Sequence, residues 1–418
     1  MTVRYEHSDL QAGSPTVSSD GLQRGPGHII GALAASVRRP GSQAFEVFAV
    51  LLLLTASLDT FFEVYRIALF DAMPYDDYAP YLLHVLGEPG GAVPRSPFVY
   101  RIGSVILAIP FYYMPLVKLN EPAMISDSIE YIRATQAMSA ANVFYVFVSC
   151  LMTYAYCRIR LKLPREWGLI GALTLFILSH FLGLTSVDGI ALPFVTLVAI
   201  SVFERSMLAF VLTVLVAAFV NEKVAILACL LTGSRFLFAH NDRRFYFKAL
   251  VAAAAVVAAT FVAVSVLQFP GWEHQRTPSK FLSSAAGMIA LMFSPRGAYR
   301  NLLPPLILIG LWYLSLGAPR KGRISEPADL GVILGIVATA FAVDVRYNVG
   351  RIAMYCAPLF VMTATQALAS FSSRGVAEGV PIRAPETENA AAMPTDPAPV
   401  SGAPPPVALQ GTSRADFG

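Results

Sequence analysis

Charge is scarce in this sequence. Asp, Glu, Lys and Arg make up 14% of its 418 residues, while 56% are hydrophobic. A soluble globular chain carries about 25% charged residues, so that class is excluded. Cysteine is scarce too. Cys150, Cys157, Cys229 and Cys356 stand in or beside apolar stretches, and their spacing fits neither a metal motif nor a disulfide framework. They read as small buried hydrophobes. His84, His180 and His274 are scattered, with no zinc-site spacing. No phosphate-binding glycine motif, nucleotide fold or serine nucleophile elbow occurs. The net charge of +4 gives no basic excess that would point to nucleic acid, and no such partner is expected. No apolar core lies near the start, so no cleavable signal is expected. The first span should instead act as an uncleaved anchor.

What the sequence does have is apolar stretches close to the roughly 20 residues that carry a helix across a bilayer. They fall at 45–66, 136–157, 167–184, 187–204, 206–220, 222–238, 246–268, 301–317, 327–345 and 352–372. The split within 206–238 rests on "FVNEKVA", which interrupts continuous apolar sequence. The expected fold is therefore all-α: a polytopic transmembrane helical bundle of about ten spans over residues 45–372. Residues 1–44 are polar and Gly/Ser-rich, and 373–418 are rich in Pro and Ala. Neither stretch can bury a core, and both are expected to be disordered cytoplasmic segments.

Lys and Arg in short loops set the orientation. "CRIRLKLPR" (157–165), "HNDRRFYFK" (240–248) and "APRKGR" (318–323) are expected on the cytoplasmic side, as are the N-terminal arginines. These agree only if the apolar stretch 102–118, which contains Pro110 and Pro115, does not cross. It then lies half-embedded within a long external loop, 67–135; prolines at membrane depth are tolerated where protein surrounds them. A second external loop covers 269–300. Both termini are placed in the cytoplasm. Asp76, Asp77, Asp188, Glu222, Asp344, Arg346 and Arg351 then all fall at the external side.

Five stretches there carry candidate chemistry. "MPYDDYAPYL" (73–82) holds Asp76 and Asp77 between tyrosines and prolines. One carboxylate can serve as general base or metal ligand; the plainer alternative is a solvated acidic loop. "RSPFVYRIG" (95–103) brings Arg95 and Arg101, as bidentate phosphate ligands or as interfacial anchors. "SVDGIALPF" (186–194) opens a span with Asp188, either functional or a complement to the helix dipole. Glu222 and Lys223 interrupt apolar sequence, which makes them functional candidates or an ion pair with each other. "DVRYNVGR" (344–351) sets Arg346 and Arg351 beside Tyr347, as a phosphate site, or paired with Asp344 or lipid headgroups.

This order of parts resembles the GT-C-type membrane glycosyltransferases. "YDDY" matches their first-loop acidic motif in place, and "SVDGIALPF" resembles their second acidic position. "AAFVNEKVAILACLL" is similar to the Lys/Glu-bearing helix break of many bacterial members, and "RYNVGRIAMYCAP" to the Arg-containing start of their late spans. The resemblance covers roughly residues 45 to 372. It implies sugar transfer, usually with inversion, from a polyprenyl-phosphate carrier at the outer face of a bacterial inner membrane. Asp77, Asp76 and Asp188 would be the catalytic acids. Arg101, Arg95, Glu222, Lys223, Arg346, Arg351 and Tyr347 would bind substrate, and a divalent cation is left open as cofactor. The chain departs from the family in the "FDAMP" that precedes the acidic pair. It also has no large external C-terminal domain, which favours a lipid or glycan acceptor. The competing expectations are a transporter or flippase for a lipid-linked or anionic substrate, and a non-catalytic membrane protein.

Overall fold

The computed structural model describes residues 40–70, 78–93, 101–114, 129–182, 187–238, 242–267, 294–319, 323–342 and 349–377. Among these residues the regular structure is entirely helical, without strands. In chain order the helices are α1 (Pro40–Phe70), α2 (Tyr78–Leu86), α3 (Ile102–Tyr112), α4 (Ile129–Ile159) and α5 (Arg165–Ser179). A 3-10 turn (His180–Leu182) ends α5. Then come α6 (Asp188–Phe203), α7 (Met207–Val220), α8 (Glu222–Phe238) and α9 (Arg243–Leu267). A π-helical turn, Ala298–Leu302, leads into α10 (Leu303–Ser315). The last are α11 (Leu330–Ala342), α12 (Val349–Ala353) and, after a 3-10 turn at Met354–Cys356, α13 (Ala357–Ala377). The chain divides into two units, residues 1–374 and 375–418; the second is described only at the end of α13.

A helix occupies each of the ten stretches expected to span. Among the described residues three helical stretches are long and apolar enough to cross a membrane: Ala44–Glu63, Ile129–Ile159 and Val349–Ser372. Shorter apolar helices include Asp188–Phe203 and Met207–Val220. At 1.5 Å per residue, the 11 residues of α3 reach on the order of 16 Å, about half a hydrocarbon core. Residues 115–118 of the stretch expected to lie half-embedded fall outside the described residues. The three long stretches differ in surroundings. Val47, Phe48, Leu51, Leu58 and Phe62 of α1 are exposed, whereas nearly all of Ala353–Thr365 is buried. An apolar face left open on a long apolar helix is what a bilayer would cover.

The spine of the bundle is the pairing of α4 with α6. Asn142 meets Gly189, Ser149 meets Thr196 and Tyr156 meets Phe203. These are steps of seven on both helices, so the two run parallel, with α5 as the return. Small residues make the contact close: the Ser149 and Thr196 hydroxyls lie 2.6 Å apart. This register brings the start of α6 level with the middle of α4. It sends the far ends to a second layer of charges, where Arg158 pairs with Glu46 and Arg160 with Glu204.

Candidate functional site

Five of the predicted site residues come together at one end of the bundle. Asp188 is the first residue of α6 and is fully buried. Arg351 from α12 pairs with its Oδ2, and the Lys223 ammonium from the start of α8 lies 3.2 Å from its Oδ1. The Tyr355 hydroxyl donates to Oδ1, and Asn221 Nδ2 reaches the same oxygen at 3.3 Å. Asn221 Nδ2 also donates to the Tyr355 hydroxyl at 2.8 Å. The ammonium of Lys223 sits 5.3 Å from the centre of the Tyr355 ring, within cation–π range.

Beside this network lies a second pair. Arg101, just before α3, holds Glu222 by its fork: Nε donates to Oε2 at 2.8 Å and the second arm to Oε1. Its remaining arm donates to the Tyr78 hydroxyl at 2.8 Å. Tyr78 opens α2, outside the three long candidate spans. Burial pushes its phenol up to about 12, so it stays protonated at neutral pH. Ser104 fixes the crossing that makes this pair possible. Its hydroxyl donates to the Val220 carbonyl at 2.7 Å, which ties α3 to the end of α7 two residues before Glu222.

Glu222 and Lys223 do not form the mutual pair that their adjacency allowed. Successive residues point to different faces of a helix, and each finds a partner far along the chain. Nor is Asp188 only a complement to its helix dipole. It is a hub that receives two cations and two neutral donors. Arg351 pairs with Asp188 across 163 residues of sequence. Asp76, Asp77, Arg95, Asp344, Arg346 and Tyr347 lie outside the described residues. Among the described residues no group of three or more His, Cys, Asp or Glu could hold a metal ion, and Asp188 and Glu222 are already held by cations.

The sequence reading missed Asn221, Tyr355 and Tyr78. Each is a polar group inside or beside apolar helices, and a buried polar group must find partners. Burial decides the chemistry. The Asp188 carboxylate is sealed, at 0% exposure, while its two cations keep access: 17% for the Lys223 side chain and 27% for Arg351. Among the described residues, two partly exposed cations thus share one closed carboxylate. The positive ends of α6 and α8 point to the same place, and helix starts favour anions. Such an arrangement can hold an anionic group of phosphate type. It does not present Asp188 as a free base. No protein-family model, curated protein or solved structure matches the chain.

Proposed function

We propose that this protein is a membrane glycosyltransferase of GT-C type. It moves a sugar from a polyprenyl-phosphate carrier to a lipid or glycan acceptor at the outer face of the membrane. The observation that carries the reading is the meeting of Arg351 and Lys223 over one sealed carboxylate at two helix starts. In the proposed topology the chain crosses about ten times, with both termini cytoplasmic and the cluster external. Arg351 and Lys223 receive the carrier phosphate, and Asp188 holds them in place. Asp77 directly precedes Tyr78 in the sequence, and the Tyr78 hydroxyl accepts from Arg101.

In the proposed reaction, Asp77, or Asp76 in its stead, takes the proton of the acceptor hydroxyl. The freed oxygen attacks the anomeric carbon from the face opposite the carrier. The bond from that carbon to the phosphate oxygen breaks, and the sugar inverts. The departing phosphate gains a negative charge, which Arg351 and Lys223 offset. A general base is typically worth on the order of 10²- to 10⁴-fold in rate. Asp77→Asn or Asp76→Asn should lower transfer from a polyprenyl-phosphate sugar by that much, in purified full-length protein that inserts normally. If both variants turn over like the parent, the reading fails.

One observation favours a second reading. α7 and α8 are separated by a single extended residue, Asn221, with ionisable groups at the break, and discontinuous helices of this kind bind substrates in transporters. Movement of an anionic lipid across sealed vesicles, with no glycosylated product, would replace the enzyme with a transporter.

A further inference from the structure

The helix starts that carry Asp188, Lys223 and Arg351 each give a backbone N–H to an asparagine side chain. On α8, Asn221 caps from within the chain: its Oδ1 accepts from the Lys223 N–H at 3.2 Å. On α6 the cap comes from another helix. Asn142, in the middle of α4, accepts from the Ile190 N–H at 3.1 Å, two residues past Asp188. On α12 it again comes from elsewhere. Asn301, in the π-helical turn, accepts from the Val349 N–H at 3.1 Å, two residues before Arg351. All three asparagines are fully buried, at 0% exposure. They are also the only asparagines among the described residues.

The two caps made across helices need backbones in close approach, and a glycine stands at each. A Cβ on Gly189, next to Asp188, would overlap the side chain and carbonyl of Asn142. A Cβ on Gly350, next to Arg351, would overlap the carbonyl of Arg300. An ordinary helix start takes its cap from its own preceding residue. Here Val187, before α6, makes no side-chain cap. The amide instead comes from a helix that spans the bundle, and it ties the site to that helix.

We infer that Asn142, Asn221 and Asn301 are positioning residues, which set the starts of α6, α8 and α12 so that Lys223 and Arg351 converge on Asp188. Asn221 does so doubly, because its other arm reaches Asp188 and Tyr355. The convergence rests on geometry alone; its use in holding a carrier phosphate rests on the proposed function.

The test reads the convergence without any substrate. Phenylglyoxal labelling of arginine is followed residue by residue by peptide mass spectrometry, on the full-length protein in detergent. Arg351 is partly exposed and paired with Asp188, so its labelling in the parent should be slow. Asn142→Ala and Asn301→Ala should each raise its labelling rate about fivefold, the change expected for loss of one cap. Asn142→Asp keeps an acceptor oxygen toward Ile190 and should label within about twofold of the parent, on the same scale. Arg158, held by Glu46 at the far end, should not change in any variant. Ser149→Ala, on the same helix pair but away from the site, should leave Arg351 unchanged. If Asn142→Ala does not accumulate, Asn142→Ser decides in the same way, because its shorter hydroxyl cannot span the gap. Equal Arg351 rates in parent and cap variants overturn the inference, and so does an equal rise at Arg158. Sugar transfer is measured on the same samples. Parent protein without transfer but with the predicted labelling pattern would leave the positioning standing and remove the enzyme.

Discussion

Two buried ionic clusters sit at opposite ends of α8, and they are built differently. At its start, one sealed carboxylate, Asp188, serves two cations that keep partial access to the surroundings. Near its end, Arg235 faces one carboxylate, Asp329, with both contacts at 2.8 Å and 3% and 1% exposure. Arg235 also donates to the Ile324 carbonyl at 3.0 Å and lies 5.4 Å from the Phe203 ring. Asp329 further accepts from the Glu326 N–H at 2.9 Å. The second cluster is matched one to one and closed. It clamps the segment before α11 onto α8 and has nothing left to offer a ligand. Among the described residues the first sets two partly exposed cations against one buried carboxylate. Burial and charge are common to both clusters; what separates them is unequal pairing with partial access.

This contrast can be broken from the closed end first. Arg235→Met keeps the volume but strands Asp329 without its cation. Removing one partner of a buried pair costs about 3–5 kcal/mol, so thermal unfolding in detergent should fall sharply. Binding of the carrier per folded molecule should not change. An equal melting temperature would mean that the Arg235–Asp329 clamp is not what closes that end.

Asp188→Asn acts on the open cluster. The amide keeps the shape, and the two cations it releases can be hydrated because they are partly exposed. The stability loss should therefore be smaller than for Arg235→Met. Sugar transfer should still drop on the order of 10²-fold, the usual effect of misplaced binding groups. A variant that unfolds as readily as Arg235→Met but transfers normally when folded would make Asp188 structural.

Much of the frame was legible in the sequence. Apolar runs predicted the helices, and the break at Asn221 was visible because "NEK" stands in otherwise continuous apolar sequence. Asp188, Glu222, Lys223, Arg101 and Arg351 were visible for the same reason: charge is conspicuous where nearly everything is apolar. Their pairing was not legible. Arg101 and Glu222 lie 121 residues apart and Arg351 and Asp188 163 apart, and adjacency pointed to the wrong partner for Lys223. Asn142 and Asn301 were invisible as site residues, because a neutral amide barely alters an apolar pattern. The usable signal was energetic: an amide in an apolar span needs a partner. Arg235 carried the same signal in "GSRFLF", and it led to a clamp.

In the proposed function the open cluster holds a phosphate-bearing lipid and the closed one does not. Equilibrium binding of a polyprenyl monophosphate to the purified full-length protein tests this directly, comparing parent, Arg351→Lys and Arg235→Lys. Lysine keeps the charge but loses the planar fork. The account predicts about tenfold weaker binding for Arg351→Lys, roughly the value of one charge-assisted contact, and unchanged binding for folded Arg235→Lys. Equal binding by parent and Arg351→Lys, or an equal loss in both variants, would contradict it.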